Sequence, residues 1–175
     1  MKIVPMNAEA LYQKLLKHLK EGLFSKLSTT PIYLAGLAIG GAWIAKRLAH
    51  DLKLDDFGVI NVSFHRDDYA EKGIRAIESA NTIPTRLAFD VNNAHVILID
   101  DVLFTGRTVR AALNELFDFG RPAKVSLMVL ADRGARELPI SADFIGEKTS
   151  MPDSKILVLE QDKNGQFCFQ IEERN

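Results

Sequence analysis

The stretch Val96-Ile97-Leu98-Ile99-Asp100-Asp101-Val102-Leu103-Phe104-Thr105-Gly106-Arg107-Thr108 has four parts in order: an apolar run, two adjacent acids, a short loop carrying Thr-Gly, and a helix start. Val96 to Ile99 has no polar residue, so a strand built from it must be covered on both faces, as at the centre of a parallel α/β sheet. Thr108 to Phe119 puts Val109, Ala112, Leu113, Leu116 and Phe117 on one helical face, and Gly120 followed by Pro122 stops it. At the carboxyl end of such a strand two neighbouring carboxylates can accept hydrogen bonds from the two hydroxyls of a ribose, or meet a divalent cation through water. Gly106 lets the backbone approach a phosphate, Thr105 and Thr108 add hydroxyl donors, and the helix starting near Arg107 points its N–H groups at the anion. An ordinary capping turn would explain Asp-Asp or Thr-Gly alone, but not all four parts in this order.

Outward from that segment, strand and helix patterns alternate. Asn7 caps a helix running to about Phe24, with Leu11, Leu15, Leu16, Leu19 and Leu23 at helical spacing. Ile32 to Leu37 reads as a strand, Gly40-Gly41 as a tight loop, and Trp43, Ile44, Leu48 and Leu52 as the next helix. Phe57 to Phe64 is a strand candidate, and His65 to Asn81 is a polar stretch expected to be mobile. Ile83 to Asn93 holds Pro84 and a turn at Asn92-Asn93. Val125 to Leu130 and Asp143 to Ile145 are further strands, and Ile156 to Glu160 pairs with Gln166 to Ile171 across Asn164-Gly165 as a hairpin. The alternation predicts an α/β fold whose ligand sits beyond the carboxyl ends of the central strands.

The 175 residues suit one domain, 1–175, and the 47% hydrophobic and 26% charged composition is that of a globular protein. A net charge of -1 offers nucleic acid no general attraction. The lone Cys168 excludes an internal disulfide, fits a reducing compartment, and reads as a packed strand residue. No apolar run approaches the ~20 residues that span a bilayer, so a cytoplasmic protein without membrane contact is expected. His18, His50, His65 and His95 have no metal-ligand spacing, which predicts no metal site made by protein alone, and His65 and His95 read as surface residues.

The Val96–Thr108 segment matches the signature by which type I phosphoribosyltransferases bind 5-phosphoribosyl-1-pyrophosphate (PRPP). Gly106-Arg107-Thr108-Val109-Arg110-Ala111-Ala112, Gly120-Arg121-Pro122 and Val129-Leu130-Ala131-Asp132-Arg133-Gly134-Ala135-Arg136-Glu137-Leu138-Pro139-Ile140 closely resemble the PyrR family, pyrimidine operon regulators that are also uracil phosphoribosyltransferases. Arg66-Asp67-Asp68 and Ile83-Pro84 resemble further words of that family. The resemblance implies the type I phosphoribosyltransferase fold, a central parallel sheet flanked by helices with a small β-rich hood and a C-terminal hairpin. It also implies conversion of uracil and PRPP with Mg2+ into UMP and pyrophosphate, a product site able to sense pyrimidine nucleotides for regulation, and a homodimer or higher homo-oligomer. Carried over, Asp100 and Asp101 hold the ribose hydroxyls, Phe104 to Thr108 wrap the 5-phosphate, and Arg133 and the backbone near Ile156 lie by the base. Arg66 and the stretch after it fold over the site and exclude water from an oxocarbenium-like sugar. Magnesium arrives with PRPP and meets Asp100 and Asp101 through water. Without the resemblance, Arg66 reads as a solvated loop residue, and Arg133 or Arg136 as an ion-pair partner of Glu137 or Asp132.

Two features depart from the family. Its pyrophosphate loop reads Arg-Thr-Arg-Gly after the first strand, whereas this chain has Ala38-Ile39-Gly40-Gly41. A missing guanidinium removes a charge-assisted contact worth ~1.5 to 3 kcal/mol, on the order of ten- to a hundredfold, so slow turnover with retained binding is expected. RNA binding, the family's second activity, is doubtful here: residues 146–155 are short of arginines, and the first helix offers only Lys14, Lys17 and Lys20. Three readings stand open at this point: an enzyme making UMP, a nucleotide-sensing regulator with little catalysis, and a phosphoribosyltransferase for another base. The Asp132–Pro139 word argues against the last.

Overall fold

The apolar run at Val96–Ile99 lies inside β3 (His95–Leu103), a strand buried along nearly its whole length. The computed structural model describes residues 6–62 and 84–174. With β1 (Ile32–Leu37), β2 (Gly58–Ile60), β4 (Lys124–Asp132) and β5 (Phe144–Lys148), β3 forms a sheet of order β2-β1-β3-β4-β5 in which all neighbours are parallel. β6 (Lys155–Gln161) and β7 (Phe167–Glu173) pair antiparallel as a separate hairpin. Helix α1 (Ala8–His18) continues into a π-helical turn at Leu19–Leu23, and α2 (Gly40–Asp51) and α3 (Arg107–Asp118) follow β1 and β3.

Strand periodicity sorts the core into two layers. Leu34, Ile97, Ile99, Met128 and Leu130 join one cluster with Leu11 and Leu15 of α1 and Ile44 and Leu48 of α2. Ala35, Leu37, Val96, Leu98, Leu127 and Val129 face the other way, with Val109, Ala112 and Leu116 of α3. β3 therefore has helices over both faces, which is why its sequence carries no alternation. From β1 the chain adds β2 on one side and β3, β4 and β5 on the other, so the strand order reverses between β1 and β3. Their carboxyl ends flank the crevice where such sheets bind ligands.

Several expectations change in detail. The helix after β1 begins at Gly40, so Gly40 and Gly41 belong to its first turn and not to a loop before it. β3 and β4 run past their apolar cores, because the ladder between them continues through Asp100↔Val129 and Val102↔Ala131. Phe57 to Phe64 yields only the three residues of β2 within the described part of the chain. His95 is not a surface residue: it is 7% exposed, with Nε2 2.9 Å from Ser126 Oγ. As the first residue of β3 it pairs between β1 and β4, and burial, then the Lys124 charge, lowers its pKa below the usual histidine range. Cys168 is half-buried on β7. No helix among the described residues is long and apolar enough to cross a membrane.

The hairpin is fastened to the helices by one polar cluster. The Glu9 carboxylate on α1 receives Arg47 Nη1 and Nη2 from α2 at 2.7 and 2.6 Å and the Phe167 N–H of β7 at 3.1 Å. Arg47 lies 4.1 Å over the Tyr12 ring, and Tyr12 donates to Asp51 at 2.7 Å. The bidentate Arg47 pair, helped by the Phe167 N–H, holds Glu9 at about 2 despite the upward push of burial. A carboxyl whose folded pKa is depressed stabilises the fold above its unfolded value of 4.5 and loses that contribution as pH falls towards 2. We expect Glu9→Gln to lower stability by roughly 1–3 kcal/mol at pH 7 and to flatten the decline of the melting temperature between pH 5 and 2. Parallel acid-melting curves for both proteins would contradict this.

Candidate active site

Asp100 and Asp101 sit within the last residues of β3, where Asp100 pairs with Val129 and the ladder to β4 skips Asp101 before resuming at Val102. They are 2% and 9% exposed. Asp100 Oδ1 accepts the Asp101 N–H at 3.0 Å, and Asp101 Oδ1 accepts the Val102 N–H at 2.9 Å. Each carboxylate is thus aimed by its own backbone before any ligand arrives. After β3 the chain turns through Phe104, Thr105 and Gly106 into α3, and Gly106 has φ +94°, a left-handed conformation that suits glycine. A Cβ there would also lie 3.0 Å from Ile140, so the turn is closed to other residues on two grounds.

The turn is braced from behind by the segment after β4. Arg136 donates to Phe104 O at 2.7 Å and Ile140 O at 2.9 Å, and pairs with Asp132 at 2.7 Å. Burial raises the Asp132 carboxyl, but Arg136, the Gly134 N–H and the Lys148 charge together hold it below the usual range. The N–H groups of Glu137 and Leu138 donate to Thr105 O at 2.9 and 3.2 Å. Arg107 turns its guanidinium to Glu137 at 2.7 Å, and its backbone N–H donates to Thr105 Oγ1 at 3.3 Å. Arg133 donates its N–H to Leu103 O at 2.9 Å and stacks its guanidinium 4.2 Å over the Phe104 ring. Arg133 is 7% exposed, and its Nε has no hydrogen-bond partner among the described residues.

These pieces enclose a cavity of about 190 Å³. Asp100, Asp101, Phe104, Thr105, Gly106, Thr108 and Arg133 line it from the sheet side, and Ile156, Leu157, Val158 of β6 and Arg174 from the hairpin side. Val96 to Ile99 form the buried strand beneath it. Gly40 and Gly41 reach the acids from across the crevice: a Cβ at Gly40 would lie 2.5 Å from Asp101 Oδ2, and one at Gly41 2.2 Å from Ile99 O. Ile39, just before α2, is 41% exposed. Arg66 and residues 65–81 lie outside the described residues. Among those described, no group of three or more His, Cys, Asp or Glu could hold a metal ion.

Residues 7–158 match the family model described as "Phosphoribosyl transferase domain". The chain is 50% identical over 163 residues to the bifunctional protein PyrR of Ralstonia nicotianae, covering 91% of this chain and 89% of that one. The chain belongs to the PyrR group of phosphoribosyltransferases. PyrR of Nitrosococcus oceani is 39% identical over 170 residues, 95% of this chain and 93% of its own. Among solved structures, a purine phosphoribosyltransferase from Pyrococcus horikoshii matches with TM-score 0.57 and 23% identity over 81% of this chain and 82% of its own. A hypoxanthine phosphoribosyltransferase from Staphylococcus aureus matches with TM-score 0.59 and 22% identity over 87% and 80%. At that identity they share the fold alone, the type I phosphoribosyltransferase fold.

Two arginines around the cavity were given no site role from sequence. Arg136 was weighed only as an ion-pair partner of Glu137 or Asp132, and it pairs with Asp132; its second contact, bracing Phe104, spans 32 residues. Arg174 had no local signal, since its place beside the cavity follows from the return of β7 along β6.

Proposed function

We propose that the protein transfers the 5-phosphoribosyl group of PRPP to uracil, giving UMP and pyrophosphate, and that its nucleotide-bound form regulates pyrimidine biosynthesis genes. The observation that carries this reading is the convergence, on one cavity at the carboxyl end of β3, of the Asp100-Asp101 pair, the Thr105–Thr108 helix start, Arg133 and the Ile156 edge of the hairpin. In this reading the two acids accept hydrogen bonds from the ribose hydroxyls. The first turn of α3 takes the 5-phosphate at its N–H groups, that of Arg107 turning to it from Thr105 Oγ1, together with the hydroxyls of Thr105 and Thr108. Uracil lies between Arg133 and the backbone at Ile156. Catalysis is then positioning of the base against C1 of the ribose, with water held out by the hairpin.

Magnesium brought with PRPP would supply charge neutralisation for the pyrophosphate, and Asp100 and Asp101 would hold it. Asp100 and Asp101 suit a water-mediated contact with it, since each already commits one oxygen to backbone. The pyrophosphate end is weakly equipped. Ala38, Ile39, Gly40 and Gly41 bring no guanidinium, and the two glycines are packed against β3. We therefore expect binding to exceed turnover. UMP and PRPP should bind tightly by calorimetry, while magnesium-dependent UMP synthesis from uracil and PRPP on the same sample should run at least tenfold below rates ordinary for the class. Full-rate synthesis would defeat the reduced-turnover reading, and lack of UMP and PRPP binding would defeat the whole assignment. Tight binding with no synthesis would select a sensor that does not catalyse.

A further inference from the structure

The cavity's charged lining residues are Asp100 and Asp101 at the end of β3, Arg133 directly after β4, and Arg174 directly after β7. Arg174 directly follows β7, and its N–H donates to Ser154 O at 2.6 Å, which ties the end of β7 to the start of β6. Its side chain also lines a second cavity of about 370 Å³, with Phe104, Thr105 and Arg107 among the walls. Phe104 and Thr105 line both cavities, so Arg174 borders the turn that leads into α3. Arg133 stacks on the same Phe104 with its buried Nε unpartnered. Glu137, which pairs with Arg107, and Asp153 also line the second cavity.

From this placement we infer that Arg174 is a ligand-binding residue that contacts, from the hairpin side of the site, the phosphate held at the Thr105–Thr108 turn, while Arg133 stays by the base. The inference rests on the nucleotide reading given above. Such an arrangement selects a bipolar ligand, with sugar hydroxyls towards the aspartates and an anion towards Arg174, which is the layout of a nucleoside monophosphate. It also gives the hairpin a direct stake in ligand binding. The two like charges repel in the empty protein: burial first, and then Arg174, lowers the Arg133 pKa, while Asp153 opposes this. A bound phosphate relieves that repulsion.

The test compares UMP and uridine binding to the full chain and to Arg174→Gln and Arg174→Lys, with UMP followed by calorimetry and uridine by displacement. A lost charge-assisted contact weakens UMP binding roughly ten- to a hundredfold in Arg174→Gln. Uridine, which lacks the phosphate, keeps its affinity within about twofold, and Arg174→Lys falls between the two proteins because the charge remains without the planar fork. Unchanged UMP affinity in Arg174→Gln overturns the inference. An equal loss for UMP and uridine also overturns it, since it marks a structural role for the hairpin end. If the unaltered protein binds neither UMP nor PRPP, the nucleotide reading itself fails and the inference falls with it.

Discussion

Asp100→Asn/Asp101→Asn should lower kcat/KM for UMP formation by roughly 10²- to 10⁴-fold, the loss of two charge-assisted hydrogen bonds of about 1.5–3 kcal/mol each. Asparagine keeps the shape of the side chain and an oxygen able to accept the backbone N–H groups that now hold Oδ1 of each residue. What disappears is the negative charge facing the sugar. That loss has an opposite side effect, because removing two anions near a phosphorylated ligand favours its approach by an amount that depends on distance and dielectric. A comparison of UMP with 2′-deoxy-UMP separates the two. The long-range charge effect is common to both ligands and cancels in their ratio, whereas the hydrogen bond to the 2′-hydroxyl exists only for UMP. The unaltered protein should prefer UMP by about ten- to a hundredfold, and the double variant by no more than a few-fold. A preference that survives the double substitution would mean that the acids do not hold the ribose.

The strand, acid pair, turn and helix of the Val96–Thr108 segment were legible because each rests on local chemistry. An apolar run demands two covered faces, a left-handed turn demands glycine, and a helix start exposes N–H groups. The parallel sheet, with its ligand beyond the carboxyl ends of the central strands, followed from alternation of strand and helix, whereas the strand order did not. Features set by distant partners were not legible. His95 sits in a polar context, yet it is buried because β1 and β4 pair on either side of it. Asp100 and Asp101 read as lying at the strand's carboxyl end, but the sequence did not show that β3 continues beyond them to Leu103, paired with β4. Arg136 and Arg174 have their roles through contacts with Phe104 and with the walls of the cavity, which no spacing within the chain encodes. The departure at Ala38-Ile39-Gly40-Gly41 was visible as missing arginines. Its structural counterpart, two glycines wedged against β3, was not.

That wedge makes the two glycines unequal, and Gly41→Ala should cost far more stability than Gly40→Ala. A Cβ on Gly41 meets Ile99 O at 2.2 Å and Asp100 Cα at 3.1 Å, both backbone atoms of the central strand. Neither can step aside, so the first turn of α2 must lift away from β3. Overpacking of this kind costs typically 1–3 kcal/mol and occasionally more, against a gain of under ~1 kcal/mol from alanine's better helix propensity. A net loss of about 2 kcal/mol lowers the melting temperature of a protein this size by roughly 4–8 °C. The same shift withdraws α2 from the acid pair, so UMP binding weakens as well. A Cβ on Gly40 instead meets Asp101 Oδ2 at 2.5 Å and Cγ at 2.7 Å, the far end of a side chain that can rotate. Gly40→Ala should therefore melt within a few degrees of the unaltered protein while its affinity for UMP falls, because the displaced carboxylate no longer points at the ribose. The same contact explains why placing arginine at position 40, as in the family's usual loop, would not restore pyrophosphate binding by itself: any side chain there displaces Asp101 first. Matching melting curves for Gly41→Ala and the unaltered protein would show that α2 and β3 do not meet this closely.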